Sequence, residues 1–390
     1  MNRIEKLIQE YCLNVVDFME LGMILDYEQP TKYIVESAQY NDDYETPVLT
    51  AGQSFILGYT DENDGIYQAN KLNPVIIFDD FTTSFHWVDF NFKVKSSAMK
   101  MIKPKNNNEA IFKYVYYAMN CINYKPQDHA RQWISVYSTF RIPVPPLPVQ
   151  QEIVNILDKF NQLEDELNAE LEARRKQYDF YLNQLMGFKD SEVEWKTLGE
   201  VGEFVRGKRF VKNDITKEGI PCIHYGELYT HYGIWTNSAK SYLEPNLAER
   251  LRVANPGDVI IVSTGETIED IGNAVAWLGD TEIVIHDACF AFSHKQNPKY
   301  VSYFLRTNHF RSQIRKYISS GKISSINDSG LSKAKIPVPS LEEQERIVSI
   351  LDKFDALVND SKISIQAEIE ARRKQYEYYR NKLLTFEEYA

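Results

Sequence analysis

Cysteine is scarce in this chain: Cys12, Cys121, Cys222 and Cys289 are the only four in 390 residues. They are too few and too scattered for a disulfide framework, which fits a reducing compartment and gives no sign of redox chemistry. Long apolar runs are missing as well, none approaching the ~20 residues needed to span a bilayer. The N-terminal MNRIEKLIQEYC carries Glu5 and Glu10 where a signal peptide would need an apolar stretch. The expectation is a soluble cytoplasmic protein without a membrane partner. Also absent are a GxxxxGKS/T phosphate loop, a GxGxxG turn, a GxSxG elbow and an NPPY-like tetrad. Nucleotide hydrolysis, dinucleotide binding, hydrolase chemistry and amino-methylation therefore lack their usual signatures. A basic surplus is missing too. The net charge of −11 argues on its face against a nucleic-acid partner.

What is present is ordinary globular composition, 43 % apolar and 25 % charged, which excludes wholesale disorder. At the usual ~150 residues per domain, the length predicts two or more cores. The acidity is spread along the chain, with net charges of −5 over residues 1–141, −4 over 142–188, +1 over 189–336 and −3 over 337–390.

Self-comparison organises the rest. IPVPPLPVQQEIVNILDKF, from Ile142 to Phe160, returns as IPVPSLEEQERIVSILDKF, from Ile336 to Phe354, at an offset of 194. ELEARRKQYDFYLNQL, from Glu170, returns as EIEARRKQYEYYRNKL, from Glu368, at an offset of 198. Weaker echoes lie upstream: Leu21-Gly22 with Leu198-Gly199, NPVIIF with NPGDVIIV, and KYVYY with KYVSY. One unit is used twice, a variable half followed by a near-identical half. This predicts a mixed α/β (α+β) protein in four segments: a first globular domain over 1–141, a helix over 142–188, a second domain over 189–336 and a second helix over 337–390.

Each near-identical half opens after prolines that suit the approach to a helix. In the first, Ile153, Leu157, Phe160, Glu164, Leu167, Leu171, Arg174, Tyr178, Tyr181 and Leu185 step by alternating fours and threes, a heptad seam with two polar breaks. The second runs Ile347, Leu351, Phe354, Val358, Ser361, Ile365, Ile369, Arg372, Tyr376, Tyr379 and Leu383, with an extra step of four read as a coiled-coil stutter. Two matched seams in one chain are expected to pack antiparallel on each other, with dimerisation through a simple coiled coil as the alternative. In the variable halves, PVLTA, SFILGY, PVIIFDD, Val259 to Ser263, Ala274 to Trp277 and Cys289 to Phe292 read as strands. Helices are expected from about Glu109 to Ile122 and from Lys299 to Ile318.

Basic clusters survive within the acidic total. Lys93, Lys95, Lys100, Lys103 and Lys105 fall within thirteen residues that contain no acid. Arg206, Lys208 and Arg209 surround Gly207, and Arg306 to Lys335 includes Arg311, Arg315, Lys316 and Lys322 against one acid, Asp328. With Arg131, these are the candidate phosphate contacts, placed to position a duplex while neighbouring loops read base edges. A solvated charged face is the bland alternative. Two faint patterns complete the reading. Asp79, Asp80, Asp89 and Lys93 hint at a metal-dependent nuclease, and Cys222-Ile-His224 with His286-Asp-Ala-Cys289 could hold zinc, although packed loop and core residues are the commoner meaning of both. No metal site is assigned.

IPVPPLPVQQ and IPVPSLEEQ leading into helices that end ARRKQYDFYLNQL and ARRKQYEYYRNKL, each after a variable domain, resemble the specificity subunit of a type I restriction-modification system. The ARRKQY helix ends resemble the subgroup with variable-length spacer helices. The resemblance implies two target-recognition domains separated by two antiparallel coiled-coil helices, related by an internal pseudo-two-fold repeat. It implies a non-catalytic subunit that reads a bipartite, asymmetric site in double-stranded DNA. Two methyltransferase subunits and motor-nuclease subunits would be its partners, with S-adenosylmethionine, ATP and Mg bound by them and none by this chain. Because the first domain and both helices are acidic, those partners would supply much of the phosphate clamp. The helices would act as a ruler: Val149 to Leu185 is 37 residues, about 55 Å. Two other readings stay open, a coiled-coil scaffold joining two protein-binding domains without DNA contact and a self-sufficient nuclease or methyltransferase.

Overall fold

A computed structural model describes residues 3–12, 16–52, 54–105, 110–189, 191–359 and 364–386. The chain divides into two compact units, Met1–Glu166 with Glu370–Ala390, and Leu167–Ile369. The division cuts through both helical segments instead of following the four expected boundaries, so each unit owns a globular domain and part of each helical segment.

In the first unit the run VIIF explains its own position. Ile76 and Phe78 enter one core with Ile102, Tyr114 and Tyr117, while Val75 and Ile77 enter another with Val88, Met99 and Met101. A strand buried on both faces reads as a continuous apolar run instead of an alternating one, and each such side chain contributes roughly 1.5–3 kcal/mol. This strand, Val75–Asp79, is central in an antiparallel sheet ordered Leu25–Glu28, Met99–Pro104, Val75–Asp79, Phe85–Val88. A three-stranded sheet of Ile56–Thr60, Thr46–Leu49 and Lys93–Val94 stands beside it. The helix Phe112–Met119 packs against the first of the two cores. Glu109, the expected start of that helix, lies outside the described residues.

The second unit repeats the plan. Val259–Val262 is again buried on both faces, between the core of Tyr300, Phe304 and Phe310 and the core of Trp277, Ile283 and Cys289. Its sheet is ordered Gly202–Arg206, Cys289–His294, Val259–Val262, Ala274–Trp277, Trp235–Thr236, and a second five-stranded sheet lies beside it. The single helix expected over 299–318 is two, Pro298–Phe304 and Asn308–Arg315. Thr307 separates them, its hydroxyl accepting from Phe310 N as an N-cap.

The proline-rich IPV segments do lead directly into the helices at Leu147 and Leu341, and they are themselves strands, which was not expected. Arg141–Val144 pairs antiparallel with Asp17–Glu20, and Lys335–Val338 pairs antiparallel with Glu194–Thr197. A two-stranded ladder consists of edges only, which is where proline is tolerated. The same bonds hold both clamps. Tyr114 donates to Pro143 O and Tyr300 to Pro337 O. Buried Gln150 accepts from Ile111 N and donates to Pro145 O, and buried Gln344 accepts from Asn297 N and donates to Pro339 O.

The first long helix spans Leu147–Leu185. The second segment holds two helices, Leu341–Asn359 and Ile365–Leu384, instead of one with a stutter. Ser364 starts the later helix by accepting from Ala367 N. The seam position Ser361 lies outside the described residues. Within the first unit, Phe160 stacks on Tyr379 at 5.7 Å and meets Tyr376, while the polar break at Glu164 is an ion pair with Arg373 at 2.6 Å. Ile153 and Leu157 share a core with Leu383 and Leu384. Within the second unit, Tyr181 stacks on Phe354 at 5.1 Å, and Leu167, Leu171, Tyr178 and Ile365 gather round Val358 and Ile369. Ile347 and Leu351 share a core with Leu182 and Met186. In both units rising numbers meet falling numbers, so the segments pack antiparallel within the chain.

Candidate nucleic-acid interface

The second domain carries a groove of roughly 660 Å³ whose walls are basic. It begins where Gly202–Arg206 ends. A Cβ on Gly207 would lie 2.2 Å from His286 O, so only glycine lets the chain press against the end of Ile283–Ile285. That contact aims the flanking side chains: Arg206 donates to Asp287 O at 2.9 Å, Lys208 to Arg250 O at 2.9 Å, and Arg209 stays exposed. Arg206, Arg209, Lys212 and Lys322 line the groove, with Glu266 and Asp287 as its acids. Also lining it, the His224 and His286 rings lie 4.6 Å apart, with Tyr225 4.6 Å from His224 and buried Phe210 5.1 Å from His286. Burial pushes both imidazole pKa values below the ordinary one. His286 Nδ1 accepts from Ala288 N and lies 3.0 Å from the Asp287 carboxylate. We therefore assign it as a neutral ring, not the cation of an ion pair. His224 Nδ1 likewise accepts from Gly226 N, so in each neutral ring the acceptor is spent on the backbone and Nε2–H is the donor.

Of the helical arginines, Arg311 is half-buried and spent internally, donating to Glu269 O and Asn273 Oδ1. It is a strut instead of a phosphate contact. Arg315 and Lys316 remain exposed.

The first-domain lysines divide sharply. Lys93 and Lys100 are buried, contrary to their reading as phosphate contacts. Lys93 pairs with Glu62 at 2.7 Å and donates to Asp64 O, and Lys100 pairs with Asp80 at 3.2 Å and donates to Gln29. A strand sends its side chains to both faces, and the neutralising acids come from 31 and 20 residues upstream, out of reach of a count along a short window. Lys95 and Lys105 are exposed and Lys103 partly so, donating to Tyr40 Oη, Gly22 O and Glu28 respectively. Arg131 is half-exposed beside Asp80.

Asp79 and Asp80 are structural. Asp79 accepts from Phe81 N and Thr82 N, and Asp80 is the buried partner of Lys100, Arg131 and Trp133 N. The zinc constellation does not assemble. Cys222 lies in the core of Phe210 and Leu243, Cys289 in that of Trp277 and Ile283, and no metal-holding cluster occurs among the described residues. Its two histidines do meet, in the groove. The groove's aromatic lining was missed because Phe210, Tyr225 and His286 are 15 and 61 residues apart in sequence. The one local signal was glycine among cations at 206–209.

The type I restriction modification DNA specificity domain matches residues 15–173 and, a second time, residues 190–371. The chain belongs to that family. It is 43 % identical over 387 residues to the type I restriction enzyme EcoR124I/EcoR124II specificity subunit of Escherichia coli, covering 95 % of this chain and 94 % of that one. A putative type I restriction enzyme specificity subunit of Haemophilus influenzae is 29 % identical over 359 residues, 86 % of each chain. The S subunit of a type I restriction-modification system from M. genitalium has the same fold, with TM-score 0.55 at 17 % identity over 95 % of this chain and 97 % of that one. A chain from a structural study of type I R-M complex assembly and conformational transition gives 0.56 at 18 % and the same coverage. The two specificity-domain matches begin just before Asp17 and Glu194, the first strands of the two clamps. No described helix is long and apolar enough to cross a membrane.

Proposed function

We propose that this chain is the DNA-reading, non-catalytic subunit of a cytoplasmic type I restriction-modification complex. Each specificity domain reads one half of a bipartite, asymmetric site, and the chain recruits two methyltransferase subunits and motor-nuclease subunits. The observation that carries this reading is a scaffold used twice with unequal surfaces. Tyr114, Gln150 and their clamp recur as Tyr300, Gln344 and theirs, while the groove residues of the second domain have no equal in the first. Arg206, Arg209, Lys212 and Lys322 would hold phosphates, and His224 and His286 would face base edges. Lys95, Lys103 and Lys105 would serve the first half-site. Methyl transfer and cleavage would belong to the partners, which would carry S-adenosylmethionine, ATP and Mg, with the target adenine flipped from the stack.

The test is a DNA shift by the complex with its methyltransferase across a salt series. Binding whose logarithm falls linearly with log salt supports phosphate contact. No shift at any salt would favour the scaffold that never touches DNA.

A further inference from the structure

The first domain cannot use the second domain's reading residues. By sheet register and by the faces they bury, Phe78 corresponds to Ile261, Ile102 to Phe292, Leu25 to Gly202 and therefore Gln29 to Arg206. A neutral glutamine that accepts from buried Lys100 thus stands where the groove has its first arginine. The backbone of the groove nevertheless has a counterpart. The turn after Val75–Asp79 corresponds to Ser263–Glu266, a wall of the groove. The stretch before Arg141–Val144 corresponds to the one before Lys335–Val338, which supplies Lys322 and Ile323. Both pairs are tied alike: Gln132 N donates to Asp80 O at 2.7 Å, and Ile326 N to Ser263 O at 2.9 Å.

Three side chains converge there. Phe81 stacks on His129 with centroids 4.7 Å apart and planes 20° from parallel, and the Arg131 guanidinium lies 5.8 Å from the Phe81 centroid. Arg131 Nη1 is 3.4 Å from Asp80 Oδ2, a carboxylate 1 % exposed and fixed by Lys100 and Trp133 N, while the Arg131 side chain is 51 % exposed. Thr83, in the turn that displays Phe81, is the one non-glycine residue with positive φ among those described, at 60°. A β-branched residue held in the left-handed region is strained, and such strain gathers at binding sites.

We infer that Phe81, His129 and Arg131 form the base-reading site of the first domain. This rests on the DNA-reading role proposed above and names the residues that perform it for one half-site. Asp80 holds the guanidinium from behind, so its outward N–H groups are set to pair with a guanine edge. The stacked rings offer an apolar face to a thymine methyl or an unstacked base.

The experiment maps methylated sites in cells carrying the methyltransferase with the wild-type chain, with Arg131→Lys, or with Phe81→Ala and His129→Ala together. Arg131→Lys keeps the charge and loses the fork. It is expected to lose roughly tenfold or more of its discrimination at one base pair of the first half-site, with the second half-site unchanged. The double variant is expected to relax a neighbouring position of the same half-site. Unaltered recognition in both variants overturns the inference. So does loss of methyltransferase assembly by both, which would make this face a protein contact. Wherever methylation persists, an intact second half-site shows that the chain is folded and reading DNA. A wild-type chain that directs methylation to no bipartite site would instead overturn the DNA-reading role itself.

Discussion

Residues that look alike along the chain do different work once folded. Lys100→Ala would leave Asp80 buried with a weakened partner set, a loss of roughly 3 kcal/mol or more. Urea unfolding of this variant should show that loss, while the salt dependence of DNA binding by the complex keeps its slope. Lys208→Ala with Arg209→Ala should do the opposite, leaving stability nearly unchanged and flattening the salt slope by about one unit per lost phosphate contact. Reversal of the two outcomes would show that burial misassigns these cations. Histidine chemistry gives a pH test. His294 has its pKa lowered to about 4 by burial, so the unfolded chain takes up the proton first as pH falls from about 6.5. Stability should therefore be full above pH 6.5 and decline by about 3 kcal/mol by pH 4 from this group, with His224 and His286 acting in the same direction. His294→Asn keeps an acceptor for Gln296 N, the bond His294 now accepts, and should flatten that decline in thermal unfolding across pH.

At the scale of elements, periodicity was legible where one face is buried over many turns. The seams from Ile153 to Leu185 and from Ile347 to Leu383 predict the packed helices, and the run VIIF predicts a strand. The IPV strands were not legible, since proline at Pro143 and Pro337 signals a ladder's absence unless its partner strand is known, and in the first copy Pro143 pairs with Phe18, 125 residues away. Breaks were missed for a related reason: Thr307 and Ser364 act as caps only through bonds to specific amides. Gln150 and Gln344 each bridge two backbone groups at the base of a clamp. Replacing either with Leu should cost roughly 1–3 kcal/mol through unsatisfied amides, read as a lower unfolding midpoint. The first helix also permits a length test. Leu163, Leu167 and Leu171 recur every four residues, so duplicating Leu167 to Glu170 keeps an apolar face nearly in phase and adds about 6 Å. Methylation mapping should then find both half-sites intact and the unread gap longer by one or two base pairs. An unchanged gap with full activity would show that the helices do not set the spacing.

For the whole molecule, the repeat was the most legible feature of all, because near-identical segments at offsets of 194 and 198 need no structure to be seen. The reading surfaces were the least legible. Phe81 and His129 lie 48 residues apart, and no short window contains both. The account's central claim is that two independent readers are carried on one repeated scaffold. Its most direct test replaces residues 1–141 with the equivalent domain of a relative and sequences methylated adenines in cells that also carry the methyltransferase. The account predicts that the first half-site changes to the donor's while the second half-site keeps its sequence. A change in both half-sites together, or in neither, would contradict it.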